Sequence, residues 1–177
     1  MRHLVLRLLS VAAVLFAFAT PRVSLAADPA LLILNAGVYD LVAHRTQYLE
    51  GRVEYRFGHG LADGDGSFRG LKPLVGFMVN GKGANFAYAG LAAPFEFADG
   101  AWEFTPAAGM GSYQRGKGID LGAKFEFHLA LGLSYRILPN ARIGVAIDHI
   151  SNAGTGRINP GINSILATWA FAIPGAP

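Results

Sequence analysis

The chain has 177 residues, 52% of them hydrophobic, with 23 glycines, no cysteine, and 15 basic against 12 acidic side chains. The lack of cysteine excludes a disulfide framework and a thiolate metal site. The basic excess lies in the first 26 residues, since without Arg2, Arg7 and Arg22 the balance is 12 against 12. With no lysine- or arginine-rich run elsewhere, nothing points to a nucleic-acid partner.

Residues 1–26 read as a cleaved secretory signal peptide. Arg2 and Arg7 precede or punctuate an apolar run from Leu8 to Ala19, and Ser24-Leu25-Ala26 offers a small-x-small cleavage site. That run is shorter than the roughly 18–20 residues a membrane-spanning helix needs. Residues 27–177, about 150 residues, fit one domain. High hydrophobicity without a second long apolar stretch is what a transmembrane β-barrel produces, because its lipid-facing residues are spread over short alternating segments.

Alternation predicts eight strands, at 31–40, 48–57, 71–79, 85–93, 101–111, 123–137, 141–151 and 163–173. In the second, Leu49, Val53, Tyr55 and Phe57 oppose Glu50, Arg52, Glu54 and Arg56, and the charged face is expected to form an ionic ladder inside a narrow barrel. The segment 123–137 alternates most clearly, with Phe125, Phe127, Leu129, Leu131, Leu133 and Tyr135 on one face. Its other face carries Glu126 and His128, where a structural hydrogen bond is expected. The fold expected is therefore all-β, an eight-stranded antiparallel transmembrane barrel. With both termini in the periplasm, the tight Leu138-Pro139-Asn140 turn falls on the periplasmic side, and the 141–151 strand ends at the outer leaflet. The Gly58–Gly70 connection is long for a periplasmic turn.

The chemistry-bearing stretch ends the 141–151 strand. Ile143, Val145 and Ile147 share a face, and His149 and Ser151 continue it. A base and a hydroxyl two residues apart on a strand project to the same side, so the imidazole can reach the serine oxygen and accept its proton during attack on an ester. The face they share is the apolar one, which suits a lipid substrate. Asn163 has the outward parity of Ile165, Trp169 and Phe171 in the last strand. Asp148 has the opposite parity and is not expected to be the orienting acid.

The pattern His149-x-Ser151-Asn152, a glycine-containing loop, then Asn159-Pro160-Gly161 resembles the lipid A 3-O-deacylase family of Gram-negative outer membranes. The resemblance implies an eight-stranded outer-membrane barrel that removes the ester-linked 3-hydroxyacyl chain at the 3 position of lipid A, the anchor of lipopolysaccharide. It implies Ser151 as nucleophile, His149 as base, Asn159 as oxyanion donor and no cofactor. Asn152 matches the asparagine that follows the serine, with a supporting role. The family's glutamate position is occupied by Asn163, which can orient the imidazole but adds no negative charge. The alternatives are a structural or adhesion barrel whose site has decayed, and a soluble periplasmic lipid-binding barrel with apolar residues inside. Monomer and homodimer both stay open.

Other motifs carry less. Asp63-Gly64-Asp65-Gly66-Ser67 lacks the glycine and late glutamate of a calcium loop and reads as a turn. No metal site is expected. Gly81/Gly83 and Gly109/Gly111 lack the strand-to-helix setting of a dinucleotide site, and no Gly-x-Ser-x-Gly elbow occurs. His44 and His59 read as loop residues.

Overall fold

A computed structural model describes residues 28–41, 47–62 and 64–174; the expected signal peptide and His44 lie outside them. The strands are β1 (Ala30–Tyr39), β2 (Tyr48–Arg56), β3 (Lys72–Asn80), β4 (Asn85–Ala92), β5 (Phe95–Phe97), β6 (Trp102–Gln114), β7 (Phe125–Leu138), β8 (Ala141–Ser151) and β9 (Ile162–Ile173). All pairings are antiparallel, and the sheet closes through β1 on β9 and β4 on β6. Eight long strands thus form a closed barrel, as the alternation predicts, and closure leaves no long unpaired edge among them.

β5 is an element the alternation left out, since it lies between the strands expected at 85–93 and 101–111. It continues β4 along β6, after an interruption at Ala93-Pro94, where Ala93 N–H still donates to Pro106 O at 2.8 Å. Pro94 has no N–H to give a ladder. The long 57–71 connection follows the same line. Phe68 bridges to Phe95, Arg69 N–H donates to Pro94 O at 2.8 Å, and Glu96 N–H donates to Ser67 O at 2.8 Å. Its length is therefore used to extend the wall beside β5.

Residues 28 and 174 lie at one end of the barrel, the terminal rim, together with the two-residue Pro139-Asn140 turn between β7 and β8. The opposite rim carries the β6–β7 and β8–β9 loops. Outward residues form an apolar band in which Leu129, Val145 and Ile147 are each more than half exposed. An apolar surface encircling a barrel is stable only against lipid. At the terminal rim the band is bounded by aromatic rings, with Trp102 stacked near Phe97 and 5.0 Å from Tyr135 between centroids. Such a girdle marks a membrane interface.

The interior is polar at mid-height and apolar beneath the opposite rim. Arg52 donates to Glu50 at 2.9 Å and to Asp148 at 2.8 Å, Asp148 also pairs with His128, and Arg56 donates to Glu103 at 2.7 Å. The expected ladder along β2 is corrected here: Arg56 reaches β6 across the barrel, while Glu54 accepts from Tyr88 at 3.1 Å. His128 makes the structural hydrogen bond expected of it, to Asp148 on the neighbouring strand β8. In so narrow a barrel the far wall is as near as the next residue on the same strand. Tyr39, Phe86, Tyr113, Leu121, Ile150 and Ile162 fill the space under the opposite rim. Polar inside and apolar outside is the reverse of a soluble lipid-binding barrel, which removes that alternative.

Candidate active site

The register of β8 and β9 builds the site. His149 lies directly opposite Asn163, flanked by the pairs Asp148 with Ser164 and Ile150 with Ile162. Ile150 and Ile162 are fully buried in the apolar plug. Because successive side chains alternate, burying these two turns His149, Ser151 and Asn163 outward. The core thus fixes the direction in which the polar groups project.

His149 Nε2 is 3.0 Å from Ser151 Oγ, and His149 Nδ1 is 3.0 Å from Asn163 Oδ1. An amide oxygen only accepts, so Asn163 assigns the proton to Nδ1. That leaves the Nε2 lone pair for the serine O–H. The three residues form a linear relay of hydroxyl, imidazole and amide, half-buried at the edge of the lipid-facing band. Asp148 is buried on the inner face with Arg52 and His128. A carboxylate therefore does not occupy the orienting position.

Two residues beside the relay lie outside the expected site. Gly161 adopts φ +60°, and a Cβ there would stand 2.9 Å from His149 Cε1. Its lack of a side chain makes room for the imidazole. Phe127 on β7 is the cross-strand partner of Ser151, and its ring meets that of Phe125 at 5.9 Å. Ser151 is thus bordered by an aromatic pair at the opposite rim. The turn glycine was visible in the Asn-Pro-Gly motif, but its contact with His149 needs the folded loop.

The asparagines divide their work. Asn152 is fully buried and binds backbone: its Nδ2 donates to Leu121 O at 2.6 Å and to Ile158 O at 2.7 Å, and its Oδ1 accepts from Gly154 N–H at 2.9 Å. It ties the β8–β9 loop to the β6–β7 loop, and its side chain makes no bond to His149. Asn159 is exposed on the same loop, and its Oδ1 accepts Asn152 N–H at 3.2 Å. With the oxygen so engaged, Nδ2 is the donor this side chain has to offer. No group of three or more histidine, cysteine or acidic residues that could hold a metal occurs among the described residues.

A family model described as lipid A 3-O-deacylase (PagL) matches residues 39–172. The chain is 35% identical over 51 residues to the lipid A deacylase PagL of Bordetella bronchiseptica, a stretch covering 29% of each chain. Among solved structures, the outer membrane enzyme PagL superposes with a TM-score of 0.66 at 19% identity, covering 81% of this chain and 99% of that one. A de novo designed transmembrane β-barrel gives 0.56 at 12% identity, covering 85% and 100%. The two superpositions agree on the barrel architecture.

Proposed function

The chain belongs to the lipid A 3-O-deacylase family and is an outer-membrane β-barrel, and from that premise we propose that it is a serine esterase acting on the 3-O-acyl ester of lipid A. The observation that carries this reading is the relay Ser151 Oγ to His149 Nε2 and His149 Nδ1 to Asn163 Oδ1, each step 3.0 Å, on the lipid-facing side of the barrel. In the orientation that keeps short turns and termini in the periplasm, the relay lies at the outer leaflet, where lipid A resides.

His149 takes the proton of Ser151 as its oxygen attacks the ester carbonyl. Asn159 Nδ2 donates to the oxyanion, a contact of a kind worth about 3 kcal/mol in the transition state. The imidazolium then protonates the departing sugar 3-oxygen. Water, deprotonated by His149, releases the 3-hydroxy fatty acid and restores Ser151. Asn163 holds the imidazole in the productive tautomer throughout, but it lends no charge to the imidazolium, so turnover is expected to be slower than with a carboxylate there. No step calls on a cofactor.

The amide at residue 163 is also what favours the other reading, a structural barrel with a decayed site. Purified barrel assayed on lipid A in detergent micelles separates them. The esterase reading requires release of 3-hydroxy fatty acid by the wild type, and its loss in both Ser151→Ala and His149→Ala with the barrel still folded. Undiminished release in either variant would sink it.

A further inference from the structure

At the terminal rim, far from the relay, the barrel interior opens into a cavity of about 270 Å³. Five cationic side chains line it: Arg56 of β2, Arg69 of the 57–71 connection, Lys72 of β3, Arg136 of β7 and Arg142 of β8. Three carboxylates face them, Asp28, Glu96 and Glu103. The lining therefore carries two positive charges more than negative ones.

Each carboxylate is shared. Asp28 pairs with Arg69 and, at 3.0 Å, with Lys72. Glu96 pairs with Arg142, with Arg136 at 2.9 Å and with Arg69 at 3.7 Å. Glu103 takes Arg56 at 2.7 Å and Arg142 Nε at 3.8 Å. Among the described residues that line the cavity, one buried donor is left over. Arg142 is only 8% exposed, and its Nη1 is buried with no hydrogen-bond partner. A buried, unpaired guanidinium N–H beside surplus positive charge is costly unless something completes it.

We propose that this cavity binds a phosphate group, as inorganic phosphate or a phosphate monoester, with Arg142 Nη1 as the anchoring donor. A phosphate dianion matches the surplus of two charges, and guanidinium groups fit its oxygens better than ammonium groups do. The bound group would tie together the segment at Asp28 before β1, the 57–71 connection, β5 and the β7–β8 turn, all of which contribute side chains to the lining or its ion pairs. It would thereby brace the periplasmic mouth. The proposal does not depend on the chemistry at the opposite rim.

The test uses the folded barrel in micelles of a neutral detergent. Thermal unfolding and phosphorus NMR are followed against inorganic phosphate, and separately against short-chain phosphatidic acid, with chloride at matched ionic strength as the control. A ligand that binds the folded state alone raises its unfolding temperature saturably. The proposal expects saturable binding of at least one phosphate probe, weakened at least tenfold in Arg142→Gln. Preference for inorganic phosphate identifies a free ion as the source, and preference for phosphatidic acid a lipid headgroup. No phosphate-specific effect in the wild type, or an equal one in Arg142→Gln, overturns it, the latter meaning an adventitious ion only. Should Arg142→Gln fail to refold, the wild-type titration decides alone: saturable binding supports the proposal and none overturns it.

Discussion

His149 and Asn163 face each other across the β8–β9 ladder, with Nδ1 3.0 Å from Oδ1. The amide supplies orientation without charge, which separates two contributions that a carboxylate would combine. Asn163→Ala removes orientation and is expected to lower kcat by about 10²-fold, within the range general-base catalysis contributes. Asn163→Glu restores the family's acid and should leave activity equal or raised. Steady-state release of 3-hydroxy fatty acid measures both, and a collapse in the glutamate variant would show that the amide has a different task.

Gly161→Ala tests the space left for the imidazole. A Cβ at 2.9 Å from His149 Cε1, on a backbone with φ +60°, must displace the ring or strain the turn. The left-handed conformation alone costs an alanine about 1–2 kcal/mol. A displacement near 1 Å at a catalytic group can cost about 10²-fold in rate. The expected outcome is a folded barrel with kcat reduced by that order, checked by kinetics beside the heat-modifiable gel mobility of a folded barrel. Full activity would show that the ring has room to spare.

Asn159 and Asn152 should fail differently. Asn159→Ala removes a donor from the proposed oxyanion and is expected to cost about 10²–10³-fold in kcat with KM nearly unchanged. Asn152→Ala leaves the carbonyls of Leu121 and Ile158 without their buried partner. Its expected signature is a lowered unfolding temperature and faster proteolysis of the β8–β9 loop. An Asn159 variant with only a raised KM would move that residue from transition-state stabilisation to substrate binding.

Asp28 gives the terminal rim a pH dependence. Burial raises its carboxyl pKa, but hydrogen bonds and charge from Lys72 and Arg69 outweigh it, leaving the group below its ordinary value of 3.8. A carboxyl that is a stronger acid when folded stabilises the fold above its unfolded pKa. That contribution is lost as pH falls through the depressed folded value. Asp28→Asn should therefore unfold at a lower temperature than the wild type at pH 7, and the two curves should converge in strong acid. A gap that persists unchanged there would assign the effect to packing instead of charge.

The barrel was legible because lipid outside and charge inside impose alternation on every long strand, most plainly from Phe125 to Tyr135. The pairing of partners across the lumen was not legible. Arg56 of β2 and Glu103 of β6 stand 47 positions apart and only closure of the sheet brings them together, while His128 and Asp148, 20 positions apart, meet diagonally across the β7–β8 hairpin, whose register the pattern leaves open. Period two placed His149 and Ser151 on one side. Parity also placed Asn163 outward, but its position opposite His149 depends on register, which the pattern leaves open. β5 was not legible because the three residues Phe95–Phe97 that follow Pro94 are too short a stretch for alternation to mark.

Deacylation through Ser151 is read directly by mass spectrometry of lipid A from cells expressing this protein, wild type beside Ser151→Ala, with both barrels shown to be folded in the outer membrane. Lipid A is expected to lose the mass of one 3-hydroxyacyl chain in the wild type and to stay intact in the variant. Lipid A unchanged in both, or shortened in both, would contradict it.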